Sequence, residues 1–182
     1  MFAGKNNMKY ENGPQTPSHR SIRVLFICHG NICRSPMAEF MMKDLVEKRG
    51  IADRFEIASA ATSTEEIWNG IGSPVYPPAQ AELKAHGIGK TPYTDFSGKR
   101  AVQVTRADYE HYDYLLCAEN WNIKNTQRLT GGDPDHKIMR LLDFSDRPRD
   151  IADPWYTGVF DVTYRDIEEG LEAFLAHVGM EK

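Results

Sequence analysis

Val24, Leu25, Phe26 and Ile27 are consecutive apolar residues inside the stretch Ile22–Cys28. A strand covered on both faces has no polar side to alternate with, so this run predicts an interior strand. The spacing then changes period. Ala38, Met41, Met42, Leu45 and Val46 recur at helical intervals until Gly50 stops them. Pro36 fits the first turn of that helix, with Ser35 before it as the expected cap. Phe55–Ala61 is a second strand candidate, and Thr62–Pro78, rich in proline and glycine, reads as a long surface loop. A helix is expected over Ala79–His86 with Gly87 closing it, then a loop over Lys90–Gly98 and a short helix over Asp108–Tyr112. Asp113–Ala118 predicts the third strand, Glu119–Thr130 a helix stopped by Gly131 and Gly132, and Lys137–Leu142 a weaker fourth strand. Leu142–Gly158 reads as loop. Asp161 should cap a last helix that runs to about Val178 and carries Ile167, Leu171, Phe174 and Val178 on one face.

Strands alternating with helices argue for an α/β fold with a parallel sheet and helices on both faces. Ligands of such sheets bind beyond the carboxyl ends of the strands, which is where Cys28 falls. Residues 1–21 have little apolar content and no period, so they are expected to be a disordered extension or a remnant of cloning, with the folded domain over residues 22–182.

Composition narrows the class. At 182 residues the chain suits one domain, and a net charge of −4 offers no basic excess for nucleic acid or an anionic membrane surface. No stretch approaches the roughly 20 apolar residues of a membrane span, and the polar start with Pro14 and Pro17 is unlike a secretory signal. Three cysteines are too few for a disulfide scaffold. The expectation is a cytoplasmic protein, a monomer or weak dimer, without nucleic-acid or membrane partners.

Candidate chemistry concentrates in Cys28, His29, Gly30, Asn31, Ile32, Cys33 and Arg34, a C-x5-R loop between strand and helix. Such a loop points several backbone N–H groups at one spot, and the helix dipole adds positive charge there, which suits a phosphate. Gly30 permits tight backbone and Asn31 tolerates a left-handed conformation. Arg34 can grip two phosphate oxygens with its planar fork. The same field favours thiolate over thiol at Cys28, placing a nucleophile beneath a bound phosphorus. That arrangement serves phosphoryl transfer through a phosphocysteine. A C-x4-C pair such as Cys28 and Cys33 can suggest a metal, but no further Cys/His cluster supplies the remaining ligands, so neither a metal nor a cofactor is expected.

The stretch "CHGNICRSPMAE" resembles the signature C-x-G-N-x-C-R-S-P-x-A-E of the low-molecular-weight protein tyrosine phosphatases, matching at Cys28, Gly30, Asn31, Cys33, Arg34, Ser35, Pro36, Ala38 and Glu39. "SAAT" at Ser59–Thr62, "DYLLCAENWN" and "DPWY" at Asp153–Tyr156 are similar to further segments of that family in the same order. The resemblance implies a three-layer α/β sandwich on a four-stranded parallel sheet of flavodoxin-like order 2-1-3-4. It implies hydrolysis of phosphotyrosine in proteins, or of small aryl phosphates, with Cys28 as nucleophile, Arg34 as phosphate clamp and Asp153 as general acid and base. Ser35 would donate to the Cys28 sulfur, and Asn31 with Ser59 would hold the loop. Trp155 and Tyr156 would wall the cleft, although as isolated aromatics they read equally as core. Cys33 would form a reversible disulfide with Cys28, structural filler being the other reading. Cys117, within a strand, reads as simply buried.

The sequence departs from the family pattern at Lys99, where a histidine is common, at Val102, where arginine is frequent, and at Glu119, where aspartate is usual. The D-x-R segment is missing near Pro77, and whether Trp68 or Glu119 reaches the site stays open. Arsenate reductases share the loop but need relay cysteines, for which only Cys117 is at hand. Phosphoarginine phosphatases carry a threonine where this chain has Ile32. A non-catalytic phosphate-binding module would need neither thiol nor acid.

Overall fold

β1 (Ile22–Cys28) occupies the middle of a parallel sheet because both its faces are covered, as its unbroken apolar run requires. The computed structural model describes residues 20–180, so the extension expected at residues 1–21 lies, up to residue 19, outside the described residues. Arg20 pairs with Asp113 at 2.7 Å. After β1 come α1 (Arg34–Lys48), β2 (Phe55–Ala61), a hairpin of β3 (Ile67–Trp68) and β4 (Ile71–Gly72), α2 (Pro77–Ala85) and α3 (Arg106–His111). β5 (Tyr114–Cys117), α4 (Asn120–Thr130), β6 (Ile138–Arg140), α5 (Pro154–Thr157) and α6 (Phe160–His177) complete the chain.

The main sheet runs β2-β1-β5-β6, all parallel, which is the expected 2-1-3-4 order of the four predicted strands. Side chains alternate along β1. Val24, Phe26 and Cys28 face the larger core with α1 and α6, while Leu25 and Ile27 join Leu115, Cys117 and Tyr109 on the other face. The register sets Cys28 beside Ala61, and Ile27 beside Cys117, so the carboxyl ends of the three strands open onto one place. α6 covers the sheet with Ile167, Leu171 and Phe174, all essentially fully buried. No helix among the described residues is long and apolar enough to cross a membrane.

Several local expectations need correction. α1 starts at Arg34, preceded by Cys33 without a side-chain cap, so Ser35 is not the cap. Its hydroxyl is engaged with the Cys28 sulfur instead. The region predicted as loop over Thr62–Pro78 contains the β3–β4 hairpin, closed by Asn69 and Gly70 with φ of 49° and 78°, and the start of α2. Positive φ at both central positions is the geometry of a type I′ turn, which suits the twist of a two-residue hairpin. Asp161 lies inside the first turn of α6, not before it. The loop expected over Leu142–Gly158 includes a short 3₁₀ turn at Leu141–Phe144 and the single helical turn α5.

The segment leading to α5 is tied to the body of the protein. Arg149 donates to Asp166 at 2.6 Å and to Glu169 at 2.8 and 3.0 Å, both acceptors on α6. The Ile151 N–H bonds the Ala118 carbonyl at 2.8 Å, just beyond β5. The hydrogen bonds from Arg149 lower the Glu169 carboxyl to about 2 from an ordinary 4.5. A carboxyl held lower in the folded state stabilises the fold above its unfolded value and loses that contribution on acidification. Wild-type stability in urea titrations should therefore fall more steeply between pH 4.5 and about 2 than that of Glu169→Gln. Identical pH slopes would contradict the latch.

Candidate active site

Strand, loop and helix build the site in that order. Cys28 ends β1, and the loop turns through Asn31, whose φ of 57° is left-handed, before α1 begins at Arg34. Asparagine adopts that conformation more readily than most residues. Gly30 serves differently from the expectation: its φ is not positive, but a Cβ there would stand 3.3 Å from Cγ of Glu66. Its missing side chain admits the neighbouring segment. The Asn31 N–H donates to the Cys28 sulfur at 3.3 Å, and the Ser35 hydroxyl lies 3.1 Å from it. Asn31 Nδ2 donates to Ser35 Oγ and to Ser59 Oγ, each at 2.8 Å, and all three side chains are buried.

Arg34 is only 2% exposed and reaches three acceptors in two other parts of the chain. Nη1 donates to the Ile151 carbonyl at 2.9 Å, and Nη2 donates to Glu119 at 3.0 Å and to Asp153 at 2.9 Å. Burial works against its charge, but Cys28, Asp153 and Glu119 outweigh that and raise its basicity. Asp153 precedes α5, where its Oδ1 accepts from the Trp155 N–H at 3.1 Å while Oδ2 faces Arg34. Two residues far apart in sequence, Arg34 and Asp153, are thus in contact beside Cys28.

These groups line a cleft of about 550 Å³ with Cys28 in its wall. Trp155 and Tyr156 flank it and are 52% and 85% exposed, so they are wall aromatics and not core. Tyr76 packs against Trp155 with ring centroids 4.9 Å apart, and its N–H bonds the Ile32 carbonyl at 2.9 Å, linking the aromatic wall to the loop. Glu65 and Glu66 add acidic groups to the lining, and His29 pairs with Glu65 at 2.9 Å. Trp68 is 73% exposed and does not line the cleft.

The sequence left Glu119 open and overlooked Tyr76, Glu65, Glu66 and the Ile151 carbonyl. Only Glu119 carried a readable signal, its position just past the carboxyl end of a predicted strand. All three cysteines are free thiols. Burial, helped by the negative charges of Cys28 and Asp153, pushes the Cys33 thiol far up. Cys117, inside β5, is pushed up to about 12 by burial. Among the described residues no group of three His, Cys, Asp or Glu side chains is arranged to hold a metal ion.

The chain is similar to known proteins over most of its length. Residues 23–182 match the family model described as low molecular weight phosphotyrosine protein phosphatase. The chain is similar to the low molecular weight protein-tyrosine-phosphatase YfkJ of Bacillus subtilis, 36% identical over 163 residues, which span 88% of this chain and 98% of YfkJ. It is also 36% identical to the low molecular weight phosphotyrosine protein phosphatase of Rattus norvegicus, over 84% of this chain and 92% of the rat protein. The crystal structure of YfkJ superposes with a TM-score of 0.79 at 35% identity, covering 89% of this chain and 97% of that one.

The unequal surroundings of the three thiols give a direct expectation. Brief iodoacetamide treatment of the folded protein near neutral pH, read by peptide mass spectrometry, should label Cys28 and leave Cys33 and Cys117 unlabelled. Labelling of Cys33 ahead of Cys28 would contradict the description.

Proposed function

The chain belongs to the low-molecular-weight phosphotyrosine protein phosphatase family, and on that premise we propose that it hydrolyses phosphotyrosine monoesters in proteins through a phosphocysteine formed on Cys28. One observation carries the reading: Arg34 and Asp153, 2.9 Å apart, line the same cleft as the Cys28 thiol at the end of β1. Cys33 also borders the cleft, but its raised thiol makes it the poorer nucleophile.

The substrate phosphate would lie in the loop, receiving backbone N–H groups and the Arg34 fork. It would take over the Nη2 donor now given to Asp153 and leave that carboxyl facing the ester oxygen. The Cys28 sulfur forms a bond to phosphorus as the bond to the aryl oxygen breaks, and Asp153 supplies the proton that oxygen needs, since a tyrosine phenoxide is a poor leaving group. In the second half Asp153 takes a proton from water, the water oxygen bonds phosphorus, and Cys28 departs as thiolate. Ser35 stabilises that thiolate, while Asn31 and Ser59 hold the loop around it. Trp155 and Tyr156 offer aromatic faces to the tyrosine ring. The pathway calls on no metal or cofactor. Free thiols at Cys28, Cys33 and Cys117 fit work in a reducing cytoplasm, where Cys33 would act only under oxidation.

The rival chemistries find less support. A reductase relay would need an accessible thiol downstream of the loop, and Cys117, the one cysteine there, is fully buried in β5. Ile32 adds an apolar side chain to the cleft, suited to an aryl ring.

Two measurements test the reading. Hydrolysis of para-nitrophenyl phosphate in EDTA should be lost in Cys28→Ser; retained activity would overturn the mechanism. Asp153→Ala should slow phenyl phosphate, whose leaving group needs a proton, by roughly 100- to 10,000-fold, and slow para-nitrophenyl phosphate far less. Equal losses on both substrates would remove Asp153 as the acid.

A further inference from the structure

A buried carboxylate sits behind the phosphate loop, and the catalytic roles above do not use it. Glu39, on α1, is 4% exposed. Lys43, one turn along, donates to its Oε1 at 2.6 Å, and the ammonium of Lys99, from the segment between α2 and α3, lies 3.3 Å from Oε2. The Ser59 hydroxyl donates to the same Oε2 at 2.5 Å. Lys99 also donates to the Ser59 carbonyl at 2.8 Å, so it fixes both Ser59 and Glu39. A carboxylate taken out of water at this cost persists only where it is paired, and here two ammonium groups pair it.

Donor counting gives this cluster a consequence at the sulfur. Ser59 has one hydroxyl proton, and Glu39 claims it. Ser59 Oγ can then only accept from Asn31, which it does at 2.8 Å. At the other end the Val102 N–H donates to Asn31 Oδ1 at 3.2 Å, so the amide nitrogen must face the two serines. It gives its second proton to Ser35 Oγ at 2.8 Å. Ser35 accepts there and has one proton of its own to give, with Cys28 Sγ at 3.1 Å as the nearer acceptor and the Ala60 carbonyl at 3.4 Å as the other. If Ser59 were free to donate to Asn31, the amide could turn over and draw the Ser35 proton away from the sulfur.

We propose that Glu39, clamped by Lys43 and Lys99, is a positioning residue that fixes the direction of the hydrogen bonds running from Ser59 through Asn31 and Ser35, so that Ser35 presents its proton to Cys28. The inference rests on Cys28 being the nucleophile. In Glu39→Gln the new amide must aim its nitrogen either at Lys43 or at Ser59, a donor against a donor or a reversal of the chain.

The test is the pH dependence of Cys28 alkylation by iodoacetamide, which needs no substrate and so separates this inference from the phosphatase reading. The other titratable groups around the sulfur are Arg34, Asp153, Glu119, Cys33, His29, Glu65, Glu66 and Cys117, and they stay unchanged. The alkylation midpoint should move up by about one pH unit in Glu39→Gln, meaning about tenfold less thiolate below the midpoint. The same change made in a Ser35→Ala background should add no further shift, because the effect passes through Ser35. Lys99→Gln, a milder change at a partly exposed side chain, should shift the midpoint the same way by less, and it decides the matter should Glu39→Gln fail to fold. An unmoved midpoint in a folded variant, or an equal shift with and without Ser35, would overturn the proposal.

Discussion

One buried guanidinium holds the site together. Arg34 is taken out of water at the start of α1, and its desolvation is offset by acceptors from two other places in the chain: Glu119 past β5, then the Ile151 carbonyl and Asp153 from the segment before α5. Truncating one partner of such a buried charge typically costs about 3–5 kcal/mol, because the other is left unpaired. The contact network therefore ties the position of Asp153, the proposed acid, to that of Arg34, the proposed phosphate clamp. The latch from Arg149 to Asp166 and Glu169 acts on the same segment from its far side.

The loop also gives its two thiols different surroundings. Cys28 and Cys33 both border the cleft, yet Cys28 receives the Asn31 N–H and the Ser35 hydroxyl, whereas Cys33 is buried among Ile32 and Ala101 near the charges of Cys28 and Asp153. Hydrogen-bond donors directed at a sulfur stabilise its anion, and burial without them opposes it. The difference in surroundings arises within a loop of few residues because one of them, Asn31, accepts a left-handed backbone and spends both of its amide protons on serines.

How much of this was legible in the sequence depended on how local the cause was. The strand at Ile22–Cys28 and the helix after Pro36 were readable because apolar spacing reports burial directly, and the sheet order came with the family resemblance. The Asn69-Gly70 turn was also written in the sequence, but flanking strands of two residues gave no alternation to notice. Ser35 misled as a cap because its hydroxyl answers to a tertiary partner, the Cys28 sulfur, instead of the helix end. Tyr76 behind Trp155, the Ile151 carbonyl on Arg34 and Lys99 on Glu39 depend on contacts between distant segments, which no local pattern encodes.

The central claim is that the Cys28 sulfur bonds the phosphorus of an aryl phosphate beside Arg34 and Asp153. Rapid acid quench during turnover of a radiolabelled aryl phosphate, followed by peptide mapping, measures that most directly. The account predicts one phosphoryl group per chain in the burst, attached to the peptide at Cys28 as an S-phosphate. A label on another residue, or a full turnover with no phosphoenzyme under conditions that slow its hydrolysis, would contradict it.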